Sequence, residues 1–389
     1  MVPPIATLTL AVISFQTAVY ANPVSYSNAS ISRPSSSEAT CIPYLIPVTI
    51  TSENYVFNLT EFKNNLDVAS LSATVAGGDT FRPLAGLKNE TASYTISAMF
   101  CSPKKPAGGR EKTVLLATHG LVYDGQYWDS AYKPAEYSFV ENMVAKGYSV
   151  FYYDRIGTGS SGVLSGYTNQ GAPQIEIAAE LAKLIRKGSY TGAIGPAKSI
   201  VLVGHSFGSY ISNRVMVQHP NAADAAVLTG RAFADDPCIK DKLASLALRI
   251  SSELDPLRYS DFDSGYVSSV DIAQHTLAFF KAPYELEAAL YAYSINAPTA
   301  IAEFLSGNLD SVAPQFEGPV LVANGEWDLA ECHGSCPKVF ANTNLTEVFP
   351  KSRLNETLFW PGAGHGVNLA VNASGFYAGI SGLLEKAGY

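Results

Sequence analysis

Positive charge is thin in this chain and never gathers. Lys and Arg number 26 against 34 Asp and Glu, a formal net charge of −8, and charged residues make up 15% of the 389. No basic run occurs, so the electrostatic footprint that nucleic acid requires is missing and no nucleic-acid partner is expected. Beyond the N-terminus no apolar run is long enough to span a bilayer, so no stable membrane anchor is expected. Cysteine is sparse, at Cys41, Cys101, Cys238, Cys332 and Cys336, and an odd count leaves one over. Cys332 and His333 with Cys336 offer only three potential ligands, short of a structural zinc set, so neither a metal nor another cofactor is expected. No internal repeat or low-complexity segment appears. What is abundant is apolar side chain: 47% of residues, ample for one large core or two modest domains.

The N-terminus carries an apolar stretch, Ile5 to Phe15, then Val19-Tyr20-Ala21 before Asn22-Pro23. It is too short to cross a bilayer and ends on a small residue, which reads as a secretory signal over residues 1–21, cut after Ala21. Its positive n-region is missing apart from the terminal amine. Sequons of the N-x-S/T type at Asn28, Asn58, Asn89, Asn344, Asn355 and Asn372 fit glycosylated surface positions, and secretion is the expected destination. The Ser-, Asn- and Pro-rich residues 22–40 read as a disordered lead-in.

Ile42 to Ile50 and Ser93 to Phe100 read as strands, with a polar stretch between them that has no assignment. Paired antiparallel, they would place Cys41 beside Cys101, within reach of a disulfide. From Lys112 the pattern becomes strand–helix alternation, the mark of a parallel sheet covered on both faces. Strands are expected at Thr113–Thr118, Tyr148–Tyr153, around Ala225–Leu228, at Pro319–Asn324 and at Thr357–Trp360. Helices are expected at Pro134–Lys146, Ile175–Lys187 and Phe376–Lys386. Between Asp235 and Pro314 the rhythm breaks into helical runs without strands, an insertion of the kind that caps a sheet.

One stretch carries chemistry plainly. Ser199 to Val203 reads as a buried strand, Gly204-His205-Ser206-Phe207-Gly208 follows, and a helical run continues to about Gln218. G-x-S-x-G between strand and helix is a nucleophile elbow, its glycines demanded by a turn too tight for side chains two positions either side of the serine. The serine hydroxyl then stands at a helix N-terminus, where N–H groups favour negative charge. Such a serine needs a base, and the base an orienting carboxylate. In an open parallel sheet both come from loops at the carboxyl ends of later strands. Asn324-Gly325-Glu326-Trp327-Asp328 and Pro361-Gly362-Ala363-Gly364-His365-Gly366 occupy two such loops. His365 is the expected base and Asp328 the expected acid, with Glu326, Asp235 and Asp236 as competitors. Of the other histidines, His219 and His275 read as structural, His205 points away from the nucleophile, and His119 braces a loop.

These motifs, with His119-Gly120 after the third strand and Asp154-Arg155, Gly157 and Gly159 after the fourth, resemble the capped α/β-hydrolases, and are similar to secreted fungal members of that superfamily. The resemblance runs from Lys112 to the C-terminus. It implies an α/β fold with a mostly parallel eight-stranded sheet, helices on both faces, and a helical cap inserted before the acid-bearing strand. The core would comprise residues 41–234 and 315–389, the cap 235–314. It also implies an oxyanion hole from the backbone N–H groups of Leu121 and Phe207, the chemistry that a tetrahedral intermediate needs. The strands before Cys238 and Cys332 would be neighbours, so Cys238 is expected to bond Cys332 or Cys336. No glycine run follows His119, so the hole is not of the hormone-sensitive-lipase type.

Serine at the elbow argues against the dehalogenase and epoxide-hydrolase chemistries, which need an aspartyl ester. The expected reaction is hydrolysis of a carboxylic ester, lactone or thioester through an acyl-enzyme on Ser206. An aminopeptidase-like or C–C-cleaving hydrolase with the same triad, and a non-catalytic binding protein, are the alternatives. Aromatics near the entrance, above all Tyr123, Trp128 and Trp327, suggest a pocket for a small apolar or aromatic acyl substrate. A monomer is expected.

Overall fold

In the computed structural model, residues 38–76, 84–105, 108–233, 239–306 and 311–389 are described, all within one unit, Arg33–Tyr389. The strands are β1 (Ala39–Phe57), β2 (Leu84–Pro103), β3 (Thr113–Thr118), β4 (Ser149–Tyr153), β5 (Ser199–His205), β6 (Ala225–Thr229), β7 (Leu248–Ile250), β8 (Tyr266–Ser269), β9 (Thr299–Ala300), β10 (Val320–Gly325) and β11 (Asn355–Trp360). Eight of them form one sheet in the order β1-β2-β4-β3-β5-β6-β10-β11. From β4 to β11 every pairing is parallel, while β2 runs antiparallel to β4 and β1 antiparallel to β2.

The central strands are short aliphatic runs because both their faces are covered. Successive side chains alternate between two cores. Leu115, Ala117, Val201 and Val203 pack with Phe139, Met143, Phe376 and Ile380 from the helices Phe139–Ala145 and Ala373–Lys386. Val114, Leu116, Ile200 and Leu202 pack with Ile175, Leu181, Ile211 and Val215 from the helices Gly171–Arg186 and Phe207–Gln218. The sheet is therefore a sandwich filling between two helical layers, as the alternation predicts.

At the edge, β1 and β2 pair along their length with Cys41 opposite Cys101, and these two form the expected disulfide. The strands are longer than read, and the helix Asn65–Ala76 lies between them in the stretch that had no assignment. β1 opens at Ala39, so the lead-in yields to strand by that residue; the expected signal, and the lead-in up to residue 37, lie outside the described residues. The helix expected over Pro134–Lys146 breaks at Ser138, whose hydroxyl accepts the Glu141 N–H and starts a second helix.

The insertion between β6 and β10 is not all helical. β7, β8 and β9 form a separate three-stranded antiparallel sheet beside its helices. Ala247 takes φ 43°, which ends the helix Ile239–Leu246 and frees Leu248–Ile250 to pair as a strand. Cys332 bonds Cys336, four residues on, rather than Cys238. Closing a short local loop needs no long-range approach, and a helical turn at Leu329–Cys332 brings the two together. Cys238, with Asp235 and Asp236, lies outside the described residues. Among the described residues no helix is long and apolar enough to cross a membrane.

Candidate active site

β5 ends at His205 and a helix begins at Phe207, so Ser206 is the hinge between them. It adopts φ 52°, ψ −120°, backbone that a side-chain-bearing residue occupies only under constraint. The constraint is steric. A Cβ on Gly204 would lie 2.4 Å from Ser209 Cα, and one on Gly208 2.0 Å from Thr118 O. Ser206 N–H donates to Thr229 O at 2.8 Å, locking the turn against β6. Gly120 comes as close: its Cβ would lie 2.8 Å from Ser206 Cβ, so the loop after β3 touches the elbow.

The loops that carry Asp328 and His365 meet because β10 and β11 are parallel neighbours, with Gly325 opposite Trp360. Here again contact excludes a side chain, since a Cβ on Gly325 would lie 2.1 Å from Gly364 O. His365 Nδ1 lies 2.7 Å from Asp328 Oδ2, and both residues are buried. Asp328 Oδ1 accepts the Glu331 N–H at 2.9 Å, so the carboxylate's two oxygens have separate tasks. Nδ1 must carry its proton to make this bond, which leaves Nε2 as the basic nitrogen. Glu326 is spent elsewhere, accepting the Gly362 N–H at 3.1 Å. Glu331 in turn accepts from Tyr210 Oη and pairs with Lys242 of the insertion at 2.5 Å, which steadies the acid loop.

Two further histidines crowd the elbow without competing as bases. His205 donates from Nδ1 to Thr229 Oγ1 at 3.1 Å, since that hydroxyl spends its own proton on Gly204 O. Its ring stacks on Tyr127 at 4.4 Å and stands 4.9 Å from His365. Burial first, then His365 and His119, holds its pKa well below the usual value, so it stays neutral. His119 is held low by burial and by the Arg155 charge. It binds Gly120 O through Nδ1 at 2.9 Å and accepts the Arg155 N–H at Nε2, the loop-bracing role expected of it.

The three candidate pocket residues part company. Tyr123 is buried with its ring edge-on to Phe279 at 5.0 Å and His275 at 5.5 Å, both from the insertion. Phe279 in turn lies 5.5 Å from His365, so this aromatic group adjoins the expected base. Trp128 belongs to the core instead, packed edge-on against Phe139 at 5.2 Å because the turn Gly125–Tyr127 points it inward. Trp327 is 44% exposed, with the Lys281 ammonium 5.1 Å above its ring. Arg155 and Thr299 also bond the loop after β3, and Glu303 pairs with Arg155. Arg155 was visible only as part of a motif, and nothing local marked the other two. An open groove of about 740 Å³ lined by Glu176, Lys183, Arg186 and His219 includes none of Ser206, Asp328 and His365. Among the described residues no group of three or more His, Cys, Asp or Glu could hold a metal ion.

Of the sequons, Asn58, Asn89, Asn344 and Asn372 are exposed. Asn355 is half-buried, donating to Phe349 O with its own amide oxygen enclosed, and Asn28 lies outside the described residues.

The model of the serine aminopeptidase S33 family matches residues 113–281. A comparison with curated proteins returns no match. Among solved structures, a thermophilic esterase from Thermogutta terrifontis is 17% identical, with 76% of this chain and 95% of that chain covered at a TM-score of 0.50. A hydrolase from Pseudomonas aeruginosa PA01 gives 17%, 76%, 95% and 0.50 in the same terms. MenH from S. aureus gives 16%, 75%, 99% and 0.50. At such identities the likeness is one of fold. The chain has the α/β-hydrolase fold, and the family match supports a hydrolase.

Proposed function

We propose that the chain is a serine hydrolase that cleaves a carboxylic ester, lactone or thioester through an acyl-enzyme on Ser206. The observation that carries this reading is the buried 2.7 Å contact of His365 Nδ1 with Asp328 on loops adjoining a constrained elbow serine. His365 Nε2 takes the Ser206 proton as Oγ attacks the carbonyl carbon, then gives it to the leaving group. The tetrahedral oxyanion accepts from the N–H groups of Leu121 and Phe207, the latter at a helix start. Water, deprotonated by the same nitrogen, releases the acid and restores Ser206. The side chains beside His365 are Phe279 and neutral His205, which suits an uncharged, apolar or aromatic acyl group.

The S33 family match favours a second reading, cleavage of an amino-acyl amide by the same triad. A panel of p-nitrophenyl esters, lactones and amino-acid anilides separates the two. Labelling with a fluorophosphonate tests both against a binding protein: covalent attachment to Ser206 is expected, and folded protein that stays unlabelled would refute a hydrolase. The protein acts as a secreted monomeric glycoprotein in this reading, supported by two disulfides and four exposed sequons. Mature protein from a eukaryotic host should begin at Asn22 and lose mass on glycosidase treatment.

A further inference from the structure

In the hydrolase reading, the peptide joining Gly120 to Leu121 carries one oxyanion donor. Gly120 C=O accepts from His119 Nδ1 at 2.9 Å and from Arg155 Nη2 at 3.1 Å. The tautomer follows from the other nitrogen: Nε2 faces the Arg155 N–H at 3.0 Å and must accept, so the proton sits on Nδ1. In a trans peptide the C=O and N–H point oppositely, so pinning the carbonyl aims the Leu121 N–H.

The next residue is pinned as firmly. Val122 has φ 57°, a region that a β-branched residue enters only when its surroundings impose it. Val122 N–H donates to Thr299 Oγ1 at 2.9 Å, and Val122 C=O accepts the Ala297 N–H at 2.9 Å. Both partners belong to the insertion. So does Glu303, whose carboxylate pairs with the Arg155 guanidinium, each side chain only 1% exposed. The same guanidinium lies 5.1 Å above the ring of Phe207, the residue that supplies the second donor.

We infer that the insertion segment 297–303 is part of the oxyanion hole's frame. It holds the Leu121 N–H in place through Thr299 on one side and the Glu303–Arg155 pair on the other. The insertion thereby controls the chemical step as well as substrate access. Thr299, Glu303 and Arg155 are positioning residues, acting through the loop after β3. This rests on the hydrolase reading, because the N–H they position matters only if an oxyanion forms there.

The test is Thr299→Val, which keeps shape and strand preference but removes the acceptor for Val122 N–H, beside Thr299→Ser, which retains it. A second probe, Arg155→Met with Glu303→Met, removes the pair without leaving a lone buried charge. Measured on the full chain are the rate of fluorophosphonate labelling, kcat and KM per titrated active site, and affinity for a trifluoromethyl ketone that adds to Ser206. Thr299→Val and the double variant should lose about 10–100-fold in labelling rate and kcat with KM nearly unchanged, a part of what losing a whole donor does. Ketone affinity should fall in parallel, and Thr299→Ser should stay within about threefold of the parent. Unchanged kcat per active site in both folded variants, with any loss confined to melting temperature or active fraction, overturns the inference. If Thr299→Val fails to fold, the double variant decides. A folded parent protein that the fluorophosphonate does not label overturns the hydrolase reading itself, and this inference with it.

Discussion

Asp328→Asn gives the sharpest test of the triad, because both carboxylate oxygens are committed. Oδ2 faces His365 Nδ1 at 2.7 Å and Oδ1 accepts the Glu331 N–H at 2.9 Å, in a fully buried site. An amide offers one acceptor and one donor edge. With its oxygen toward Glu331, its NH₂ faces Nδ1 and drives the imidazole proton to Nε2, where no base remains. With its oxygen toward His365, the NH₂ meets the Glu331 N–H, and a buried donor left unpaired costs about 1–3 kcal/mol. The competent arrangement is then a minority of about one molecule in 10 to one in 100. Loss of the negative charge beside the imidazolium adds to this, for an expected fall in kcat of about 10³–10⁴ with the fold intact. Kinetics on the best p-nitrophenyl ester, with circular dichroism as the folding check, measures it. Glu326→Gln, Asp235→Asn and Asp236→Asn should each stay within about tenfold of the parent. A near-parental rate for Asp328→Asn, or a dead Asp235 or Asp236 variant, would refute the assignment of the acid.

Ser206→Ala should lower hydrolysis by up to about 10⁶-fold. Ser206→Gly should be equally inactive yet more stable than Ser206→Ala by about 1 kcal/mol, because only glycine relaxes at φ 52°; equal urea midpoints would contradict the constraint. Burial, and then neighbouring Asp154, pushes the Asp124 carboxyl up to about 7. The native state thus keeps a proton that the unfolded chain has lost, and above that pH the ionised form is a burden on the fold. The stability gain from Asp124→Asn should therefore grow by about 3 kcal/mol between pH 5 and pH 8, and a pH-independent gain would show that Asp124 is not held protonated. Removing Cys41–Cys101, which spans 60 residues, should cost about 4 kcal/mol, against about 2 kcal/mol for Cys332–Cys336, which spans 4. Chemical denaturation of the two double-alanine variants ranks them, and a larger loss at the short bridge would contradict a chain-entropy origin.

The parts of the fold that could be read in advance are those with local causes. Runs such as Val114–Ala117 and Ile200–Val203 are strands because every side chain in them is apolar and both faces are covered. The elbow is visible because its two glycines answer a clash that any side chain would create at 2.4 Å or less. His365 could be read because it follows the last strand in a glycine-rich turn. Trp128 misled for the opposite reason: proximity to the oxyanion loop in sequence says nothing of which way a 3₁₀ turn will point a ring.

Composition and local pattern alone determined the class of fold, the elbow at Ser206 and the candidacy of His365, since each depends on neighbours within a few residues. Tertiary structure decided the rest. Four carboxylates were eligible as the acid, and the parallel pairing of β10 with β11 brought Asp328 to His365, with Glu326 turned to Gly362. The disulfide partner of Cys332 depended on a helical turn rather than on neighbouring strands. The contacts of Thr299 with the loop after β3 and of Glu303 with Arg155 after β4 join residues more than a hundred positions apart. Such contacts leave no periodicity or spacing in the chain, because the hydrogen bonds that fix them exist only after the sheet has brought both segments together.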